Sequence, residues 1–254
     1  MSRFSENKIN RLLQNGVTGG LYFSEWLNKN GYSKQLVSKY RMSGWLSQLC
    51  HGVMYRTNDK LSALMALSCY NRQLNRELHV AAHSALELFG FNHYVPMGKP
   101  LLVVTSVDSH LPSWLKSDHL DRKIKTFTTK TFIALHTTQV DVSGQQVLTS
   151  TPEQAFAECL LLAPSLYSYI DLYYIMEQLT SLNPEAVQSL LEYTGNQKVK
   201  RMYLYMAEKA GHYWFEELNL SKIDLGRSKI QLAKGGSYIS KYKMTIPKEL
   251  KDYE

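Results

Sequence analysis

The chain has few cysteines and no long apolar run. Only Cys50, Cys69 and Cys159 occur in 254 residues, far apart and without a Cys-x-x-Cys pair. Cysteines used in this way are typical of reduced thiols, and they argue against a disulfide framework. No stretch approaches the ~20 apolar residues of a membrane span, and residues 1–14 have no apolar core of a secretory signal. We therefore expect a cytoplasmic protein with no membrane partner.

Motifs of known catalytic chemistry are also missing. Gly19-Gly20 precedes a helix but lacks the lysine and hydroxyl of a phosphate-binding loop. His79 and His83 stand four residues apart in an expected helix, without a Glu-x-x-His context or an evident third ligand. Cys50 and His51 are neighbours on an expected strand, so their side chains point to opposite faces. We predict no enzyme, no metal site and no cofactor.

Positive charge is concentrated at the beginning of the chain. The net charge is +7, and residues 1–60 hold nine Lys/Arg against three Asp/Glu, a net +6. Residues 99–254 hold eighteen against seventeen, a net +1. A basic segment of this kind attracts the phosphate backbone of nucleic acid, with an affinity that falls steeply as salt rises.

The same basic segment has the pattern of two short helices joined by a sharp turn. Phe23, Trp26 and Leu27 share one helix face, and a glycine at position 31 then breaks the chain. Ser33 is a suitable N-cap for a second helix, which extends to Ser43. The apolar stripe of this helix is Leu36, Val37 and Tyr40.

A strand, a turn and a return strand are expected next. Trp45 leads into the first strand, His51-Gly52 can turn the chain, and residues 53–56 read as the return strand. An earlier helix, with Ile9, Leu12 and Leu13 on one face, completes a small core. This order predicts a winged helix-turn-helix, which presents one polar helix face to the DNA major groove.

The polar face of the second helix is the predicted recognition surface. Gln35, Ser38 and Met42 point away from the apolar stripe, with Lys34, Lys39 and Arg41 beside them. Glutamine can pair with adenine, and lysine or arginine can reach guanine or phosphate. Backbone contacts are expected from the wing and its flank. The predicted DNA-binding residues are Ser33, Lys34, Gln35, Ser38, Lys39, Arg41, His51, Arg56 and Lys60.

The remainder reads as mixed α+β. Helices are expected over 60–73 and 79–89, strands over 101–106, 128–139 and 145–149, helix starts at Thr151 and Asn183, a helix over 198–213, and strands over 229–232 and 242–246. The turn-rich stretch 91–100 suggests a domain boundary. We predict a winged helix-turn-helix domain, residues 1–95, followed by a larger mixed α+β domain, residues 96–254.

Two basic clusters lie in the second domain. Arg122, Lys123, Lys125 and Lys130 surround an expected strand, and Lys198, Lys200 and Arg201 open an expected helix. Cations are unfavourable at a helix N-terminus. Either ordinary solvation or a contact with nucleic acid or an acidic protein would account for them.

Several segments in order resemble the AbiEi family, the antitoxins of bacterial type IV toxin–antitoxin and abortive-infection systems. The resemblance covers roughly residues 6–247. It rests on the segments 31–37 (GYSKQLV), 44–46 (GWL), 85–88 (ALEL), 93–94 (HY), 198–201 (KVKR), 211–212 (GH), 214–215 (WF), 224–226 (DLG), 234–236 (KGG) and 242–243 (YK).

The resemblance implies a function that the residue patterns do not reach. The resemblance implies that the protein represses its own promoter by binding inverted repeats through the winged helix, with two copies pairing as a dimer on DNA. It also implies that the larger domain neutralises a nucleotidyltransferase toxin, and that a stable complex with the toxin is not required. The family also has a part in phage defence.

Two other functions remain open at this point. One is a stand-alone winged-helix transcriptional regulator whose C-terminal domain binds a ligand or a protein. The other is an enzyme that acts on nucleic acid or on the toxin, with His136, Asp108 and Asp121 as candidate residues. A neighbouring nucleotidyltransferase gene would favour the antitoxin over the stand-alone regulator.

Overall fold

The computed structural model describes residues 3–91, 99–105, 111–127, 131–133 and 135–253. They fold into two compact units that interleave along the chain. Unit 1 lies within residues 1–80, 96–128 and 139–148, and unit 2 within 81–95, 129–138 and 149–254. The division expected at 95/96 falls among residues outside the described part, and it stays a prediction.

Unit 1 begins with a winged helix-turn-helix, as predicted. Its elements are α1 (Arg3–Gln14), β1 (Tyr22–Phe23), α2 (Ser24–Lys29), α3 (Lys34–Met42), β2 (Leu46–Cys50) and β3 (Val53–Arg56). The three strands form a sheet in the order β1-β3-β2, with both pairs antiparallel. The wing is the β2–β3 hairpin.

One apolar core holds these elements together. Leu12 from α1, Leu27 from α2 and Val37 and Tyr40 from α3 are buried together with Leu46 at the start of β2. Each such side chain stabilises the fold by about 1.5–3 kcal/mol through removal of apolar surface from water. The helical spacing of these residues therefore fixes which side of α3 faces inward.

A five-stranded sheet and another helix follow the wing. The elements are α4 (Ala63–Leu74), β4 (His79–Val80), β5 (Leu101–Thr105), a 3-10 helix (Ser113–Lys116), β6 (Lys123–Phe127), β7 (Thr137–Val142) and β8 (Gln145–Ser150). The strand order is β6-β5-β4-β8-β7. The β5–β6 pair is parallel and the β4–β5 pair is antiparallel.

Unit 2 is mainly helical. Its helices are α5 (Ala82–Leu88), α6 (Pro152–Leu162), α7 (Tyr169–Gln178), α8 (Pro184–Tyr193), α9 (Gln197–Ala210), α10 (Tyr213–Glu216) and α11 (Lys248–Asp252), with a 3-10 helix at Leu220–Lys222. A small sheet has the order β10-β11-β9, formed by β9 (Ile230–Gln231), β10 (Ser237–Ile239) and β11 (Met244–Ile246).

The helix starts of unit 2 follow the predicted signals. Asn183 caps α8, because its side chain accepts hydrogen bonds from the backbone N–H groups of Glu185 and Ala186. Thr151 precedes α6, with Pro152 at the first helical position, but its side chain makes no capping bond. The predicted helix over 198–213 is α9 as far as Ala210, where Gly211 in a left-handed conformation caps it, and Tyr213 already belongs to α10.

Three sequence expectations were wrong. Phe23 does not share a helix face with Trp26 and Leu27, because it belongs to β1 and is extended before α2 begins at Ser24. Residues 79–89 are not one helix, because His79 belongs to β4 and Ala82, with φ +51°, turns the chain before α5 continues. The long strand expected over 128–139 is not formed in its described part, where β7 begins only at Thr137. Residues 128–130 and 134 lie outside the described residues.

The basic cluster at the beginning of α9 has neither of the two expected roles. Lys200 and Arg201 are buried, at 4% and 1% exposure. Arg201 donates through Nε to the carbonyl oxygen of Leu225 (2.8 Å) and through Nη1 to that of Lys243 (2.9 Å). Lys198 donates to the carbonyl oxygens of Leu161 and Ala163. The three cations hold separate chain segments of unit 2 together, so they are not a solvated surface.

Candidate nucleic-acid interface

The turn between α2 and α3 is fixed by backbone hydrogen bonds. Gly31 takes φ +82°, a conformation that an L side chain would strain, and Tyr32 N–H then returns to the carbonyl oxygen of Leu27 at 2.9 Å. Ser33 begins α3 as predicted, since its hydroxyl oxygen accepts from Leu36 N–H at 3.3 Å. The turn bond and the cap therefore fix where α3 begins.

The outer face of α3 is exposed and carries no acidic residue. Val37 and Tyr40 are buried, and Gln35, Ser38 and Met42 point in the opposite direction at about 100° per residue. The predicted contact residues Ser33, Lys34, Gln35, Ser38, Lys39 and Arg41 are all exposed. Lys39 and Arg41 lie in the last turn, where positive charge also favours the helix.

The structure brings four of the predicted residues to one groove. Lys34, Ser38 and Arg41 line it from α3, and His51 lines it from the turn of the wing. The groove has a volume of about 420 Å³. Gln35 and Lys39 do not line the groove. They lie on the side of the outward face that is away from Lys34 and Arg41.

Sequence reasoning missed two polar residues of this groove. Asn28 from α2 and Gln48 from β2 line it together with the α3 residues. Both carry amides, which can donate and accept hydrogen bonds at base edges and phosphates. Alternation along β2 places Gln48 on the same face as the buried Leu46, so the strand pattern does not indicate it, and only the packing of α2 against the wing reveals Asn28.

One acidic residue, Glu25, also lines the groove. Its carboxylate pairs with Lys29 at 2.7 Å, one helical turn along α2. The hydrogen bond and positive charge of Lys29 hold the pKa of Glu25 below its usual range. The negative charge in the groove is therefore balanced locally, and Lys34 and Arg41 are not its ion-pair partners.

The wing is attached to the beginning of α2. Ser24 N–H donates to the carbonyl oxygen of Gly52 at 2.8 Å, and Gly52 has φ +75°. This bond places His51 beside the groove. The turn, the groove and α3 therefore form one continuous exposed surface.

The remaining two predicted residues lie elsewhere in unit 1. Arg56 is half-buried, with Nη2 donating to the carbonyl oxygen of Leu13 at 2.8 Å and Nε 3.9 Å from the carboxylate of Asp59. Lys60 is exposed but lies by a separate hollow with Asp59 and Asp121. Arg56 thus joins the wing to α1, and Lys60 has acids beside it; the phosphate contacts expected of these two residues stay a prediction.

In the part of the chain that the structure describes, the residues considered for catalysis or metal binding do not form a common site. The Asp121 carboxylate accepts from Ala63 N–H at 2.8 Å, at the beginning of α4, and Asp108 lies outside the described residues. His79 is on β4 and His83 on α5, so they lack the helical spacing of a metal pair. Within the described ranges, no group of three His, Cys, Asp or Glu side chains could hold a metal.

Two family models match this chain, and a solved structure is similar to it in fold. The model of the family described as "Transcriptional regulator, AbiEi antitoxin, Type IV TA system" matches residues 99–247, and that of its N-terminal domain matches residues 5–97. A crystal structure of the RV2827C protein from Mycobacterium tuberculosis is similar in fold, with a TM-score of 0.64 and 16% identity. The alignment covers 96% of this chain and 91% of that one. No curated protein matches.

The fold and the exposed basic face define a winged helix-turn-helix protein of the transcriptional-regulator class. The chain belongs to the AbiEi antitoxin family of transcriptional regulators, which are part of type IV toxin–antitoxin systems. None of the helices in the described ranges is long and apolar enough to cross a membrane.

Proposed function

We propose that the protein binds inverted repeats in its own promoter through α3 and represses its operon. The acid-free outer face of α3, with Lys34 and Arg41 beside the groove, is the observation that supports this. Gln35 and Ser38 read base edges, and the cations and the wing hold the phosphate backbone. Two copies bind two half-sites about 34 Å apart, or a multiple of that distance.

A mobility-shift assay with a promoter fragment tests this assignment. The double variant Lys34→Ala/Arg41→Ala should bind at least tenfold more weakly, because two backbone or base contacts are lost. The matched control is Lys222→Ala/Arg227→Ala, which removes the same charge from exposed positions of unit 2. Equal affinity of the double variant and the control would remove α3 as the recognition helix.

We propose further that the protein antagonises a nucleotidyltransferase toxin encoded beside it, without a stable complex. Membership of the AbiEi antitoxin family supports this proposal. Co-expression of the full chain with the adjacent gene should restore growth that the adjacent gene alone arrests. An adjacent gene that is not toxic, or toxicity that persists with the full chain, would contradict the proposal.

A further inference from the structure

Met42 has an unusual position among the exposed residues of unit 1. It is the last residue of α3 and is 85% exposed. At about 100° per residue it lies near the centre of the outward face, between Gln35 and Ser38 and opposite Val37. Single exposed apolar side chains are common on protein surfaces, so the exposure by itself carries no meaning. The position of Met42 is informative, because this face of α3 would enter the major groove of the DNA.

We propose that Met42 is a specificity-determining residue that reads the C5-methyl group of a thymine in the major groove. The inference rests on the proposed DNA-binding function. The major-groove edges of the base pairs present hydrogen-bond donors, acceptors and one apolar group, which is the thymine methyl. A methionine is uncharged and is at best a weak acceptor, whereas its flexible, polarisable thioether packs well against apolar groups.

The geometry of α3 sets where this thymine should lie. Gln35 and Met42 are seven residues apart, which is a rise of about 10 Å along the helix. That distance corresponds to about three base-pair steps when α3 lies along the major groove of the DNA. With glutamine matched to adenine, each half-site should contain an adenine and a thymine separated by about three steps.

Replacement of thymine by deoxyuridine in the binding site tests the proposal, because it removes the methyl group alone. Full-length protein is used to select its preferred duplex from random sequences, and each thymine of that duplex is then replaced singly. For the wild type, one position in each half-site should weaken binding about fourfold, the effect of one buried methyl. Met42→Leu, which keeps an apolar side chain, should keep this penalty.

Met42→Ala supplies the decisive comparison. It should bind the unmodified duplex more weakly than the wild type by about fourfold for each half-site, or about sixteenfold for two copies on two half-sites, with no further loss on deoxyuridine at the same position. The proposal is overturned if no single replacement weakens wild-type binding, or if Met42→Ala keeps the penalty. Failure to select any preferred duplex would instead overturn the proposed DNA-binding function, and with it this inference.

Discussion

Arg56 donates a hydrogen bond of 2.8 Å from Nη2 to the carbonyl oxygen of Leu13. The bond joins the last residue of the second wing strand to the end of α1, 43 residues earlier in the chain. This bond holds the guanidinium at the carbonyl of Leu13, and turning the side chain fully outward would break it. Arg56 therefore stabilises the wing, whereas Lys34 and Arg41 remain exposed beside the groove.

Arg56→Ala should lower the free energy of unfolding by about 2 kcal/mol, the typical contribution of a hydrogen bond from a charged group. Urea unfolding of the full chain measures this loss. The dependence of DNA affinity on salt should keep its wild-type slope for the folded variant. A reduced slope with unchanged stability would show that Arg56 contacts phosphate.

Arg201→Ala should be among the most destabilising single substitutions in unit 2. The change leaves the carbonyl oxygens of Leu225 and Lys243 without this donor and empties a buried site, at a cost of about 3 kcal/mol or more. Arg227→Ala, at an exposed position, should cost less than about 0.5 kcal/mol. Thermal unfolding of the two variants compares them directly, and equal melting temperatures would contradict the assigned role.

The winged helix was predictable because its determinants are local. The apolar spacing of α3, the capping by Ser33 and the break at Gly31 all lie within a dozen residues. The role of Arg201 was not predictable, because its acceptors are 24 and 42 residues away in the chain. Sequence shows that a cation stands at a helix start, but not which carbonyl groups the fold brings to it.

The residues of the candidate site also differ in whether local sequence is sufficient to predict their positions. Helical periodicity alone placed Lys34, Gln35, Ser38, Lys39 and Arg41 on the exposed side of α3. The role of Arg56 depends on how far β3 lies from the end of α1, and the position of Asn28 depends on the angle between α2 and the wing. Neither quantity is encoded in a short stretch of sequence.

Glu208 should make the stability of unit 2 sensitive to acid. Its carboxylate accepts from the Lys241 ammonium group and from the Tyr242 hydroxyl (2.7 Å). Burial acts to raise the pKa of Glu208, but the hydrogen bonds from Lys241 and Tyr242 outweigh it and hold the pKa below its usual value. A depressed pKa in the folded state means that the stabilisation is present above the unfolded-state pKa and is lost as pH falls through the folded-state pKa.

The urea midpoint of the wild type should therefore fall more between about pH 6 and pH 3 than that of Glu208→Gln. The glutamine variant keeps a side-chain oxygen of similar shape but has no proton to gain. Other carboxylates contribute equally to both proteins, so the difference between the two curves isolates Glu208. Parallel curves would show that this carboxylate has no part in acid sensitivity.

Repression and toxin antagonism should be separable by point substitution in the full chain. Residues 1–95 are unsuitable as an isolated fragment, because β4 within them pairs with β5, which lies beyond their end. Full-length Lys34→Ala/Arg41→Ala should lose repression of a promoter reporter but still restore growth beside the adjacent gene. Loss of both activities at normal protein levels would mean that antagonism depends on DNA binding.

The most direct test of the account is the salt dependence of DNA binding for Lys34→Ala/Arg41→Ala. Each phosphate contact contributes about one to the slope of log affinity against log salt, so the variant should have a slope smaller than the wild type by about two for each bound copy, or about four for two copies on two half-sites. Lys222→Ala/Arg227→Ala, with the same loss of charge, should keep the wild-type slope. If both double variants change the slope equally, or neither does, then α3 is not the surface that contacts the DNA backbone.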